Sequence, residues 1–515
     1  MRSQVKQAGP TSLGALGRLG LALLLGATFF APSSAVAEEG ESVMPAIKLK
    51  PIFWNRTRYE YNEFFQSSAA GADDEYSFFA NTTRFGLGLS TDRIEITAVG
   101  QYTKLWDLPN QALGGPSGPQ GVGGVYFAHN RSEGPDSIGV KYAHIKVKNV
   151  FDKPLQVQVG RFGFTSAKER NSGVKRLELV KNVRLAERLY GEFGFTHFTR
   201  SFDGFRFDYD VPEYGRITAY GFRPTQGGWE RDINERINDI DVAGLTLTSE
   251  ANFFSSPTEF QFYYNYYDDE RAVTARADNS NLGTTRQDIQ IHTLGGHAVG
   301  LVDVADAIQA DWLVWGAFQT GDWFDTSHLA GSVAIEGGLQ FSGLPMKPWI
   351  RVGYNYGSGD DDGTDNEHNT FYQLLPTARK YSLAVNYNLM NSHDIFAQLF
   401  LYPVEGLMLR FDVHHIQLAE ENDALYVGAG PTQESGGIQG FVNRRVLNGP
   451  GGTFVGFDDQ EVLTVIEAMA NYKVNKYLSL GAYYAHSFGH GVIDELFPED
   501  DNADYFFAQA VVKFD

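Results

Sequence analysis

Residues 47–61 read IKLKPIFWNRTRYEY, and their alternation decides the fold class. Even positions carry Lys48, Lys50, Ile52, Trp54, Arg56, Arg58 and Glu60. Odd positions carry Ile47, Leu49, Pro51, Phe53, Asn55, Thr57, Tyr59 and Tyr61. A period of two means an extended strand with two unlike faces. One face is mostly apolar and aromatic. The other bears four cations, in a chain with 63 acidic and 42 basic side chains.

The same period recurs along the chain in short apolar runs, separated by clusters of Gly, Asn and Asp. Aromatics make up 14% of residues and Gly numbers 56, the weak repetitive signature of a transmembrane β-barrel. Strands are expected near 46–62, 76–90, 93–104, 138–148, 155–161, 201–211, 216–224, 239–249 and 258–267. They continue near 289–300, 307–320, 327–341, 347–358, 394–402, 407–419, 459–473, 477–488 and 504–514, about 18 in all. Tiny connections such as Thr91-Asp92 and Val404-Glu405-Gly406 alternate with long ones such as 105–137 and 420–458. An outer-membrane barrel sorts its connections this way, short turns in the periplasm and long loops outside. A soluble sandwich does not. Because 18 is even, both chain ends fall on the periplasmic side. Asn279, Gly363 and Gly436 then lie outside the cell and Asn475 inside.

Two strands show the lipid-type face directly. Phe260, Phe262, Tyr264 and Tyr266 share one side, opposite Glu259, Gln261 and Asn265. The last strand sets Phe506, Ala508, Ala510, Val512 and Phe514 on one side. At the N-terminus, Arg2, Lys6 and Arg18 precede an apolar run from Leu21 to Phe30 and the small-x-small site Ala35-Val36-Ala37. That is the pattern of a secretory signal peptide over 1–37, leaving 38–515 as one barrel. With no cysteine, an exported chain of this size suits a bacterial periplasm or outer membrane better than a eukaryotic extracellular space.

Five short pieces, in order, resemble the alginate export family of the outer membrane. They are Val159-Gly160-Arg161, Arg200 to Arg206 (RSFDGFR), Asn369 to Thr377 (NTFYQLLPT), His415 to Ala419 (HIQLA) and Asp423 to Tyr426 (DALY). Phe162 stands where the family has a Gln, and Ala378-Arg379-Lys380 where it has a His. The resemblance implies a monomeric 18-stranded barrel whose electropositive lumen passes an anionic polysaccharide.

If the apolar faces meet lipid, the opposite faces line water. Arg or Lys at the bilayer midplane costs about 2–4 kcal/mol in a barrel, so the register is forced. Strand phase therefore assigns Lys48, Lys50, Arg56 and Arg58 to the lumen or its rims, with Arg84, Arg206, Arg351 and Arg410 from other strands. The connection 162–200 and the residue just before it add Arg170 and Arg161. From Arg161 to Arg206 ten basic residues face five acidic ones. Folded inward, such a loop narrows the pore and offers guanidinium forks to uronate carboxylates. Left outside, its arginines pair with neighbouring Glu or with lipopolysaccharide.

Acidic clusters such as Asp268-Asp269-Glu270, Asp360-Asp361-Asp362 and Glu499-Asp500-Asp501 fall in or beside the long loops. The stretch 358–367 looks like a calcium loop, but with Gly363 at the sixth position Asn369 takes the twelfth, which breaks the EF-hand phase. A hydrated loop is the simpler reading, surface calcium the minor one, and no other cofactor is expected. His414 and His415 face opposite ways on a strand, as do His292 and His297, so neither makes a metal pair. No nucleophile with its base, no phosphate loop and no nucleic-acid stripe emerges.

The expected protein is a channel, not an enzyme, for an anionic polysaccharide or small anionic solutes. Its surroundings are outer-membrane lipid and lipopolysaccharide, with periplasmic export-complex proteins as partners. The alternative is a secreted or periplasmic β-rich enzyme or binding protein acting on acidic sugars; an outer-membrane lipase or acylase lacks a catalytic set.

Overall fold

The computed structural model describes residues 47–514 except 67–73, 114–118, 253–254, 274–277, 281–285, 376–381, 385, 428–441, 444 and 448–452. The expected signal peptide, Gly436 and Thr377 to Lys380 lie outside the described residues.

Alternating runs become strands because each can present one face to lipid and one to the interior. In chain order the wall begins with β1 (Lys48–Glu63), β2 (Glu75–Ser90), β3 (Ile94–Trp106), β4 (Asp136–Val147), β5 (Leu155–Phe162) and β6 (Phe202–Val211). It continues with β7 (Gly215–Pro224), β8 (Ile240–Ser249), β9 (Thr258–Asp269), β10 (Ile289–Ala305), β11 (Ile308–Trp323) and β12 (Thr326–Phe341). β13 (Trp349–Gly357), β14 (Ser392–Leu401), β15 (Leu407–Gln417), β16 (Glu461–Lys473), β17 (Leu478–Gly489) and β18 (Asn502–Phe514) complete it. Each pairs antiparallel with the next, and β18 pairs back onto β1, from Phe53 opposite Phe514 to Glu63 opposite Asp504. The sheet is a closed 18-stranded antiparallel barrel.

Every expected strand has its counterpart. The largest boundary error is at β10, which runs to Ala305 rather than 300 before a tight turn. Connections alternate as expected: 91–93, 212–214, 306–307 and 474–477 at one end; 107–135, 163–201, 358–391 and 418–460 at the other. One connection at the long-loop end, 324–325 between β11 and β12, has only two residues.

The two faces differ as lipid and lumen demand. On β9, Phe262 is 67% exposed, whereas Glu259, Gln261 and Asn265 on the opposite face are at most 2% exposed. Exposed apolar side chains recur outward on the other strands, including Phe85, Leu87, Val159, Phe205, Leu247, Val314 and Ile395. An apolar belt around a whole closed sheet is stable only in lipid. No helix among the described residues is long and apolar enough to cross a membrane; the strands do the crossing.

One feature of β4 is invisible to a period-two reading. Val99 pairs with Tyr142 but Gly100 with Val140, so Lys141 is an extra residue, a bulge. Ile138 and Val140 point outward before it, Ala143 and Ile145 after it. The bulge exchanges the two faces in mid-strand.

Several long-loop segments pack inward among the described residues. Helix α1 (Gly121–Asn130) packs buried against β2, where Gly121 sits at φ +65° and an added Cβ would lie 2.6 Å from the Tyr76 hydroxyl. Helix α2 (Lys175–Val180) runs into a π-turn, Lys181–Leu185. Leu375, in the connection between β13 and β14, bridges to Tyr190. The core lies between these segments and the inward face of the wall.

Candidate functional site: the occupied lumen

Segment 163–200 leaves the long-loop end of β5, crosses the interior and returns to β6. Apolar burial anchors it: Leu177, Val180, Leu185, Leu189 and Tyr190 are at most 2% exposed. Phe164 packs on Tyr220 at 4.4 Å between ring centroids and on Phe222 at 5.3 Å.

Its cations meet carboxylates on one side of the wall. Lys181 Nζ lies 2.8 Å from Glu259, on β9. Arg184 Nε donates to Glu336 Oε2 at 2.8 Å and Arg188 Nη2 to Glu336 Oε1 at 2.9 Å, on β12. Arg188 also donates to Asn355 Oδ1 at 3.1 Å. From the wall, Arg351 on β13 bridges Glu336 at 3.1 Å and Asp311 at 3.0 Å. Arg176 reaches Asp311 at 3.4 Å and lies 3.5 Å from the centre of the Trp349 ring, whose Nε1 donates to Asp311 at 2.7 Å. A buried charge is tolerable only when paired and hydrogen-bonded, so this network places the segment.

The cations of β1 do something different. Arg56 donates to the carbonyl oxygens of Gly194 at 3.1 Å and Thr196 at 2.7 Å. Arg58 donates to the Phe195 carbonyl at 3.3 Å and to Gln509 Oε1 at 2.8 Å, with Glu60 at 3.5 Å. Glu60 in turn lies 2.7 Å from His197 Nε2. The row of cations in the opening strand thus clamps the backbone of the inserted segment. Lys48 and Lys50, further down the same face, remain exposed.

The other expected site residues are spread around the wall. Arg84 donates to Gln101 and Thr199, each at 2.9 Å, and lies over the Trp54 ring. Arg206 pairs with Asp208 at 2.9 Å, and Arg206 and Arg216 both donate to the Glu169 carbonyl, at 2.7 and 3.3 Å. Arg170 pairs with Glu250 and donates to the Ser249 carbonyl at 3.2 Å. Arg410 lies 2.6 Å from Asp412 and 3.0 Å from Glu467.

Arg161 does not line the lumen. It shares the outward face of Val159 and Phe205, forming two bonds to Asp203 at 2.7 and 2.8 Å and one to the Val140 carbonyl at 3.2 Å. Its parity with Val159 sets that phase, and β5, which ends at Phe162, leaves residues 136–142 of β4 without a strand on that side. Arg161 and Asn234 fill the gap; Asn234 exchanges bonds with Val140 N and Ile138 O at 2.8 and 3.0 Å.

Sequence reasoning missed the acids. The buried inward face of β9–β14 carries Glu259, Asp269, Asp311, Glu336 and Asp394 against Arg351. Strand phase could have found them, since Glu259 faces away from Phe260 and Phe262. It also passed over Lys146 and Arg216, inward on β4 and β7. Residues from the calcium-like stretch are used in a loop junction. Asp360 N donates to Asp423 Oδ2 at 3.2 Å, and Thr370 Oγ1 donates to the same carboxylate at 2.6 Å. Burial, with Asp423 nearby, pushes the Asp360 carboxyl up to about 7; burial likewise lifts Asp423 to about 6. Among the described residues no group of three or more His, Asp or Glu is arranged to hold a metal ion.

A closed barrel with an apolar belt and a polar, loop-filled lumen is an outer-membrane channel rather than an enzyme. The model of the alginate export family matches residues 135–489, and the chain belongs to that family. No curated protein matches it. Among solved structures it is similar to Pseudomonas aeruginosa OpdK with vanillate, at 10% identity and TM-score 0.53, covering 90% of this chain and 98% of that one. It is similar to P. aeruginosa OccK2 (OpdF) in complex with glucuronate, at 8% and 0.53, covering 90% and 96%. For P. aeruginosa OccD3 (OpdP) the figures are 10% and 0.52, covering 90% and 91%. Likeness at this identity shows the fold alone.

Proposed function

We propose that the barrel conducts carboxylate-bearing sugars, an anionic polysaccharide or its shorter pieces, along the wall formed by β18 and β1–β7. The observation that carries this is the population of inward cations there that keep contact with water. Lys48 and Lys50 are exposed, and Lys146, Lys148, Arg206 and Arg216 half-buried, against Glu95, Asp208 and Asp210. Lys146 stands near Glu95, Arg206 and Asp208 without a direct ion pair among the described residues. Lumen charges of one sign concentrate their counter-ions, and a Debye length of about 8 Å lets them act across a narrow passage. Family membership supports the same cargo. The barrel closes on itself, which fits a monomer; its belt is left to lipid and lipopolysaccharide, and its short-turn end to periplasmic export proteins.

The test is a salt-gradient reversal potential for the purified barrel in planar bilayers. Wild type should prefer anions, and Lys48→Glu/Lys146→Glu should move the potential towards cations while the barrel stays heat-modifiable on gels. Cation preference in the wild type would overturn the reading. A second reading, passage of small anionic solutes only, draws on the lumen being occupied by segment 163–200. Uronate oligomers of rising length decide between them: current block that deepens with length favours the polymer.

A further inference from the structure

We infer that segment 163–200 is a fixed charge adaptor, not a stopper that must leave before cargo passes; this rests on the anion-channel reading above. The wall is electrostatically two-sided. On the buried inward face of β9–β14, five acids stand against Arg351 among the described residues. On the β18–β7 side basic residues prevail. The inserted segment is two-sided in the complementary sense. Towards the acidic half it presents Lys181 and Arg184 from the helical turn and Arg188 just beyond its end. Towards β1 it presents the carbonyls of Gly194, Phe195 and Thr196, the Phe195 ring and the His197 imidazole, and among these no carboxylate, so Arg56 and Arg58 give up no charge to it.

Removing the segment would therefore do more than open space. Glu336 would lose two of its three arginines and Glu259 its lysine. A carboxylate polymer would then face uncompensated carboxylates in a low-dielectric wall, where like charges repel far more strongly than in water. The lumen would be wider and of the wrong sign. With the segment in place, the acidic half is neutralised and the cations of the other half set the preference.

The experiment compares reversal potential and conductance in three proteins. In the first, residues 163–200 are replaced by a short Gly-Ser turn, a closure the geometry permits because Phe162 and Phe202 are paired neighbours. The second is Arg184→Gln/Arg188→Gln with the segment retained, which keeps the test available if the deletion fails to assemble. The third adds Glu336→Gln to that pair. The deletion should raise conductance and reverse the sign of the potential, to cation preference. The double variant should lose anion preference several-fold, and the triple should regain it. Anion preference that survives the deletion, or a double variant indistinguishable from wild type, would overturn the adaptor and leave the channel reading standing. A wild-type barrel that prefers cations would instead overturn the channel reading, and the adaptor with it.

Discussion

Glu336 and Asp203 each sit among arginines, one on either face of the same wall, yet their surroundings make them different sites. Glu336 accepts from Arg184, Arg188 and Arg351, and no side chain of the four is more than 1% exposed. Asp203 accepts from Arg161 and from Arg236, the latter 56% exposed. Register extends this outer row from Arg161 through Asp203 to Arg223, which pairs with Asp241 at 2.7 Å, both about half exposed. Inside, water cannot replace a missing partner, so the pairs from Arg184 and Arg188 hold the inserted segment in place. Outside, water and lipid headgroups can substitute, and the pairs trim a rim. Ion-pair chemistry alone does not set the energy; desolvation does.

The comparison is most exposed to Glu336→Leu. Three buried guanidinium groups would lose a shared carboxylate, a cost of about 3–5 kcal/mol. Urea unfolding in lipid vesicles, followed by tryptophan fluorescence, should show it; a loss below that of the rim variants would erase the distinction. Asp203→Ala comes next, at about 1–3 kcal/mol, because it strands the partly buried Arg161 at the β4 edge. The expected signature is faster hydrogen exchange at Val140 and its neighbours. Asp241→Ala should cost only about 0.2–1 kcal/mol, and less in high salt. An effect of that variant that is insensitive to salt would mean the outer row is not solvated.

A change of the opposite sign belongs to the loop junction. Asp360 titrates at about 7 and Asp423 at about 6 in the folded loops, against about 3.9 in an unfolded chain. The folded junction then holds more protons than the unfolded one between those values, so its stability falls as pH rises from about 4 through 7. Asp360→Asn should strengthen the junction at pH 8 and leave it nearly unchanged at pH 4. Limited proteolysis of the loops at both values measures this. Undiminished pH dependence in the variant would place the titration elsewhere.

Much of the wall was legible from the residues in order. The alternation of 47–61, the aromatic faces of β9 and β18 and the spacing of tiny and long connections led to eighteen strands in a closed sheet. They also led to the inward phase of Arg56, Arg84, Arg351 and Arg410. Lipid explains why: it enforces a period of two on every strand, so a local pattern carries the global fold. One thing broke that link: the Lys141 bulge exchanged faces within β4. Arg161 kept the outward phase of Val159, and the early end of β5 left the gap that it fills.

Sequence by itself determined the barrel, its lipid face and an excess of cations between Arg161 and Arg206. Only the tertiary structure decided what those cations do. Arg184 and Arg188 lie far along the chain from Arg351, and nothing local announces that all three converge on Glu336. Nor does a strand pattern show that Arg56 and Arg58 spend their donors on the carbonyls of Gly194 to Thr196. Pairing of this kind depends on which segments occupy the lumen, and that choice rests on desolvation and packing summed over distant residues.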